Sequence, residues 1–373
     1  MNKLWQLRKV MLLQQENTSS FFKTSDPLYS YSVDTLLMGF GLLIMGLYLN
    51  GISAFYHAAV GILSAVLCEY ISFRLVMKKN TLTNMSAFSV GLLISLSMSA
   101  ASPLWVTAMG SAFAVLVAKL PFGGTRNAPF VPVAAGVCFV QLCFGQYVFS
   151  YPASSGGLHP VFNTAEGFVK GTSLIDLLES GKAVSLNIFN YASLLSGKYP
   201  GAIGTTCILA MLGIVCYQLI RRPRRLYSSL GYLLCCAVFA LAFPRVNSGR
   251  LSSLVMELSA GSLMFVALLV LNDPVTTPKR PLYAVLYGAV AGAVCMLLRY
   301  FGTIHEPAFF SVLLINAFWP LLSRQTATDK AQSEEKRKRL KKARKKDKKL
   351  AAKIKSEQKK DGGADHAKEY TAS

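Results

Sequence analysis

The chain has 373 residues, 53% of them hydrophobic and only 15% charged, with a formal net charge of +21. Those fractions fit either a large soluble core or a bundle of membrane spans, and run length decides between them. A soluble helical protein needs polar faces at helical spacing, and segments such as GILSAVLCEYISFRLV and LMFVALLVL offer none.

The first thirty residues are mixed and basic, without the apolar core and small-residue cleavage site of a signal peptide. The first span is therefore expected to act as its own insertion signal. A helix needs about 20 mostly apolar residues to cross the hydrocarbon layer. Such runs occur at 33 to 50, 54 to 73, 85 to 101, 103 to 120, 202 to 220, 226 to 243, 253 to 271, 282 to 298 and 307 to 322. A tenth, 128 to 148, carries Pro129 and Pro132. The predicted fold is an all-α integral membrane protein of about ten transmembrane helices.

Lysine and arginine in the connecting segments set the expected orientation. With the N-terminus inside, the inner segments carry about fifteen, among them Arg74, Lys119 and the run RRPRR at 221 to 225; the short outer loops hold Arg245, Arg250 and Arg299. Both termini are then cytoplasmic. The expected organisation is a cytoplasmic segment (1–30), a first membrane half (31–148), an outer-side loop region (149–200), a second membrane half (201–323) and a basic cytoplasmic tail (324–373).

An internal repeat joins the two halves. A constant shift of 178 residues lays Pro103, Leu104, Gly110, Gly124, Thr125 and Pro129 on Pro281, Leu282, Gly288, Gly302, Thr303 and Pro307. Five spans separate the copies, and an odd number inverts the second relative to the first. Inverted repeats place their sites near the interface of the halves, often at discontinuous helices. GGTRNAPFVP and GTIHEP each precede the final span of a half, either as a broken helix entering a cavity or as a tight interhelical turn.

Eight cysteines (68, 138, 143, 207, 216, 235, 236 and 295) fall almost entirely within the predicted spans without a CxxC pair, the pattern of small packing residues rather than zinc or iron-sulfur ligation. The four histidines are dispersed, and no metal site is expected. Charges inside spans are costly and mark candidate sites. Glu69 lies about a turn from the inner end of the second span, with Arg74 poorly aligned to pair with it; a carboxylate there without a partner prefers to be neutral. Glu257 opens the eighth span and Asp273 closes it before Pro274. Each is a candidate for an ion path or cofactor pocket, or an interfacial solvated residue. No GxGxxG or phosphate loop is present, so no nucleotide is expected to bind through such a motif.

Residues 330 to 360 hold about sixteen Lys/Arg against four acids. Such a tail either lies on anionic lipid headgroups, each basic residue contributing about 1 kcal/mol, or remains solvated. It lacks the interleaved aromatics that stack on bases, and nucleic acid is not expected as a partner.

SAVLCEY (64 to 70), LPFGGTRNAPFVPVAAG (120 to 136), GKYPGAIGTTCILAMLG (197 to 213), MELSAGSLMF (256 to 265), NDPVTTP (272 to 278) and RYFGTIHEPAFFSVLLINAFWPLL (299 to 322) resemble, in order, segments of the D subunits of Rnf-type electron transport complexes. The B subunit of the sodium-pumping NADH:quinone oxidoreductase is a more distant match. The resemblance covers roughly residues 30 to 323. It implies two inverted five-helix repeats in a bacterial plasma membrane, assembly with the other Rnf-type subunits A, B, C, E and G, and electron transfer between ferredoxin and NAD coupled to Na+ or H+ movement. It also implies flavin: FMN joined through its phosphate to a threonine on the outer side, and riboflavin or another non-covalent flavin within the membrane domain.

The counterpart of that threonine is Thr164 in VFNTAEGFVKG, with Lys170 and Gly171 at the family's spacing. The family's Ser-Gly-Ala before it is replaced here by Val161, Phe162 and Asn163. Thr164 is either a divergent FMN attachment site or a loop threonine that caps a short helix, with Glu166 and Lys170 as an i, i+4 pair. Two other readings stay open beside the electron-transfer subunit: a cofactor-free channel or transporter on the same scaffold, and a subunit that anchors soluble partners.

Overall fold

A computed structural model of the chain describes residues 27–72, 74, 85–125, 127–152, 171–179, 188–245 and 249–322. The described residues are helical, with no β-strand among them. The chain divides after Ala317, and residues up to that point form one body; beyond it only the last residues of the final helix, to Leu322, are described.

The helices are α1 (Pro27–Asn50), α2 (Ser53–Ser72), α3 (Ser86–Leu96), α4 (Leu104–Phe113, continued by a π-helical stretch Ala114–Lys119) and α5 (Pro132–Val148). Two short helices follow, α6 (Leu174–Glu179) and α7 (Ile188–Ser196). Then come α8 (Ile208–Arg221), α9 (Leu226–Ala242), α10 (Arg250–Ser259), α11 (Leu263–Phe265, continued by a π-helical stretch Val266–Val270), α12 (Pro281–Phe301) and α13 (Ala308–Leu322). Each of the ten apolar runs in the sequence holds helix. Four helices, Tyr29–Asn50, Ser53–Ser72, Pro223–Ala242 and Pro281–Phe301, are long and apolar enough to cross a bilayer, and a fifth is the pair Arg250–Ser259 and Leu263–Val270, bent by 65°.

The remaining apolar helices are shorter than the runs that contain them, and backbone contacts account for two of them. The run 85 to 101 is helical only to Leu96, about 16 Å of rise against a hydrocarbon core of about 30 Å. Its continuation, 97 to 103, is not helical, and serine hydroxyls donate to backbone carbonyls within it and at the helix end before it. Ser97 Oγ donates to Ile94 O (2.7 Å), Ser102 Oγ to Ser99 O (2.8 Å) and Ser53 Oγ to Ala100 O (2.6 Å). Residues 201 to 207, the unwound start of the run leading into α8, face this stretch: Ile203 N–H donates to Met98 O (3.0 Å) and Gly204 N–H to Leu96 O (2.7 Å). Irregular backbone at membrane depth persists only where protein satisfies it in this way.

GGTRNAPFVP and GTIHEP are interhelical turns before α5 and α13. The interruptions fall instead at 97–103, 201–207 and 260–262, inside the apolar runs.

Glycines set the close helix crossings. A Cβ on Gly91 of α3 would lie 2.5 Å from Gly61 O of α2, and one on Gly288 of α12 would lie 2.0 Å from Ser228 O of α9. Outward faces carry large apolar side chains, as on α1, where Leu37, Phe40, Ile44 and Tyr48 form an exposed stripe. In water a patch of this extent is an aggregation hazard; in hydrocarbon it matches its surroundings.

Candidate functional site

Among the described residues, three buried acid–base clusters and the interrupted helices define the interior chemistry. Glu69 on α2 meets Lys119, the last residue of the π-helical stretch after α4. Lys119 Nζ donates to Glu69 Oε1 at 2.8 Å and to Ser86 Oγ at 2.7 Å, and Thr125 Oγ1 donates to Ser86 Oγ at 3.2 Å. Both charged side chains are almost wholly buried. The expectation of a partnerless Glu69 is thus overturned. Lys119, read from sequence as an inner-loop charge, is its counter-ion, and Arg74 turns away to Tyr70 Oη (2.8 Å).

Glu257 on α10 is also buried and meets two guanidiniums, Arg299 at 3.4 Å and Arg245 at 3.8 Å. Neither contact has hydrogen-bond geometry, and neither carboxylate oxygen accepts a hydrogen bond. Arg299 spends its fork on the backbone: Nη1 donates to Glu257 O and Nη2 to Ala260 O, each at 3.1 Å. These are carbonyls that the end of α10 leaves without an intrahelical partner, so Arg299 holds the bend at 260–262. Read as an outer-loop residue, Arg299 is a buried member of α12. Arg245 lies over the Tyr300 ring at 4.0 Å and donates to Arg299 O at 2.5 Å.

Asp273 lies in the motif NDPVTTP, which follows the π-helical stretch of α11. In the π-helical turns of 266–270, side chains donate to three of the carbonyls, those of 267, 268 and 269. Ser229 Oγ donates to Ala267 O (2.7 Å), Gln218 Nε2 and Asn272 Nδ2 each to Leu268 O (2.8 Å), and Tyr31 Oη to Leu269 O (3.4 Å). Asn272 Oδ1 accepts from Ser228 Oγ at 2.6 Å, Asp273 Oδ1 accepts from Val275 N–H at 3.3 Å, and Thr277 Oγ1 donates to Leu271 O at 2.8 Å. The motif is a backbone clasp, which accounts for an Asn, an Asp and a Thr in an apolar neighbourhood. Burial pushes the Asp273 carboxyl up to about 6, while the Val275 N–H and Arg225 pull it down.

A third cluster was passed over in the sequence, although Asp34 is a charge inside the run 33 to 50: Asp34 of α1 accepts from Arg222 Nε at 2.5 Å and Tyr217 Oη at 3.2 Å, with Arg221 at 3.5 Å. Arg222 also bonds Ser30 Oγ, and Arg225 stacks over Tyr31 at 4.3 Å. The four-arginine run is therefore partly an internal fastener between α1 and the end of α8.

Thr164 and its neighbours 153–170 lie outside the described residues. Among the described residues no group of three or more His, Cys, Asp or Glu side chains is placed to hold a metal. A cavity of about 10 Å³ adjoins Asp34 and Asn272, and one of about 50 Å³ adjoins Tyr151 and Glu306. Cofactor pockets are roughly 300 Å³ or larger. Neither cavity accommodates an isoalloxazine as it stands, and no step through flavin is derived from these residues.

The family model described as NQR2, RnfD, RnfE matches residues 15–332. The D subunit of the ion-translocating oxidoreductase complex of Salmonella paratyphi A is 26% identical over 305 residues, covering 74% of this chain and 86% of the relative. The D subunits of the same complex in Cronobacter sakazakii and Escherichia coli are each 27% identical, over 306 and 290 residues, with 75% and 70% of this chain and 87% and 82% of the relatives covered.

Proposed function

Because the chain belongs to the NQR2, RnfD, RnfE family, we propose that it is the D-type membrane subunit of an Rnf-like ion-translocating oxidoreductase complex in the bacterial inner membrane. The family match across residues 15–332 is the observation that carries the reading. It is supported by buried charge pairs set beside interrupted helices, the arrangement in which membrane scaffolds handle ions. Glu69, Glu257 and Asp273 are the acidic groups of that interior. With Glu69 closed by Lys119, Glu257 and Asp273 are the more available to an ion path.

The ten apolar runs cross as two inverted halves, with both termini cytoplasmic and residues 149–200 outside. The A, B, C, E and G subunits of the complex supply the NADH and ferredoxin sites that this chain lacks. Flavin is held on the outer side as FMN on Thr164, and any further, non-covalent flavin lies within the membrane domain away from the two small cavities described. The basic tail lies on anionic headgroups. The replacement of the family's Ser-Gly-Ala by Val161-Phe162-Asn163 favours one alternative, a cofactor-free transporter on the same scaffold.

Isolation of the native complex from its membrane tests the reading, together with ultraviolet fluorescence of the denatured chain and its Thr164→Val variant. Copurification with redox subunits and fluorescence lost in the variant are expected. A chain that purifies without redox subunits and carries no flavin selects the transporter.

A further inference from the structure

The cavity beside Glu306 belongs to none of the acid–base clusters above. Glu306 precedes α13 in the turn GTIHEP and is 4% exposed. Its Oε1 accepts from Tyr151 Oη at 2.9 Å. Gly261, at the bend between α10 and α11, packs against it: with φ +67 and a Cβ that would come within 2.7 Å of Ile175 Cδ1 and 3.3 Å of Glu306 Oε1, that position favours glycine for two separate reasons.

A cavity of about 50 Å³ is lined by Glu306 together with Tyr151, Ser173, Asp176 and His305. A water needs roughly 10–15 Å³ of such space, so the cavity has room for a short file. His305 Nδ1 lies 3.8 Å from an Asp176 oxygen, and their side chains are 44% and 37% exposed. His305 is held against the Phe149 ring at 5.2 Å. The depth of the cavity is thus a single enclosed carboxyl and its mouth is an imidazole with a carboxylate.

We propose that Glu306 is a proton-binding site that exchanges with the aqueous phase through this cavity, by way of His305 and Asp176. On release, the O–H bond of the acid breaks and the proton passes through water to the imidazole of His305 or to solvent. The carboxylate left behind keeps the Tyr151 hydrogen bond. Uptake reverses these steps, and no other reactant is needed.

The groups facing the carboxyl are Tyr151, Tyr199, Asp176, His305 and Arg299. Burial raises its affinity for the proton, while the Tyr151 and Ser262 hydroxyls, Arg299 and His305 oppose that shift. Because Arg299 also holds Ala260 O and faces Glu257, a charge appearing on Glu306 acts on the residue that fastens the bend. The site stands on its own geometry; its use in ion movement rests on the reading as a translocating subunit.

The test is a pH titration by infrared difference spectroscopy of the full chain in bilayers, in sodium-free buffer and then with sodium added. A carboxylic C=O band is expected that titrates above the ordinary glutamate value of about 4.3 and is absent in Glu306→Gln. In Tyr151→Phe, which removes a donor to the charged form, the midpoint rises by about one pH unit, a tenfold change in proton affinity. Tyr151→Phe also keeps the test decisive if Glu306→Gln does not fold. A band that titrates in the ordinary range, or a midpoint indifferent to Tyr151→Phe, overturns the proposal. So does a midpoint lowered by sodium, which assigns the carboxyl to a metal cation. None of these outcomes bears on flavin fluorescence or copurification, so failure here is distinct from failure of the assigned function.

Discussion

Glu69 and Glu257 are both buried carboxylates beside the far end of a helix, α4 with its π-helical continuation for the first and α12 for the second, yet their neighbours differ. Glu69 meets one ammonium at 2.8 Å, and Ser86 takes a second of that lysine's hydrogens. Glu257 meets two guanidiniums at 3.4 and 3.8 Å, and the nearer one gives its hydrogen bonds to backbone carbonyls of the bend. The first cluster is closed: charge against charge, with donors and acceptors matched. The second couples charge to backbone geometry, because the group that neutralises Glu257 also holds the bend at 260–262. A closed pair resists change, whereas a shared guanidinium links whatever alters the carboxylate to the shape of a span.

Arg299→Met gives the largest expected effect. It leaves Glu257 with only the longer contact to Arg245 and frees two carbonyls, a loss beyond about 5 kcal/mol when a broken buried pair is added to lost charged hydrogen bonds. That approaches the whole stability of a typical domain, roughly 5–15 kcal/mol, so monodisperse folded protein should not accumulate in detergent. Adding Glu257→Gln should not rescue it, since the carbonyls stay unpaired. Rescue by the double change would erase the distinction between the two clusters.

Lys119→Met is expected to cost about 3–5 kcal/mol by stranding Glu69 in the interior. Here the double variant Glu69→Gln with Lys119→Met should return close to the parent in thermal unfolding, because buried pairs replaced together are commonly neutral or stabilising. A double variant no better than Lys119→Met would show that the first cluster, too, carries something besides its own charge balance.

These partnerships were only half legible in the sequence. Glu69, Glu257 and Asp273 stand out because charge in an apolar run is rare, but their partners lie 50 and 42 residues away for Glu69 and Glu257. Span ends such as Lys119 and Arg299 look like loop charges until the fold shows which are enclosed. The apolar runs were located correctly as helix-bearing segments. Their interruptions were not, because 85 to 101 and 253 to 271 contain no proline and tertiary contacts end their helices. The serines of SLSMSAASP were the available clue, being able to replace lost helical partners with hydroxyls. Glu306 passed as part of a Gly/Pro turn, since nothing local marks a carboxyl that a glycine 45 positions earlier helps to enclose.

The helix crossings provide a smaller test of the same contrast between halves. A Cβ on Gly288 meets Ser228 backbone oxygen at 2.0 Å, whereas one on Gly61 first meets Ser95 Oγ at 2.1 Å, a side chain able to rotate, and then Gly91 O at 2.9 Å. Gly288→Ala should therefore cost about 3 kcal/mol and Gly61→Ala about 2 kcal/mol, within the usual range for overpacking. Thermal midpoints in one detergent compare them directly, and equal losses would mean that the α2/α3 contact is as rigid as the α9/α12 contact.

Asp273 is the third kind of buried carboxylate, turned to a backbone N–H and not to a base within ion-pair distance, and its expected signature is a pH slope. Its folded value of about 6 lies above the ordinary 3.8. Between those values the folded chain binds the proton that the unfolded chain has lost, so stability is greatest below about pH 4 and falls as pH rises through 6. The sign is opposite to that of a carboxylate held down by a base, whose contribution is lost on acidification. Glu306 adds a slope of the same sign, so the contribution of Asp273 is read as a difference. In Asp273→Asn, which keeps an acceptor for the Val275 N–H, the fall between pH 4 and 6 should be shallower by about 2–3 kcal/mol, at 1.36 kcal/mol per pKa unit. An unchanged slope would mean that Arg225 balances the charge fully, and Asp273 would then join Glu69 among the closed pairs.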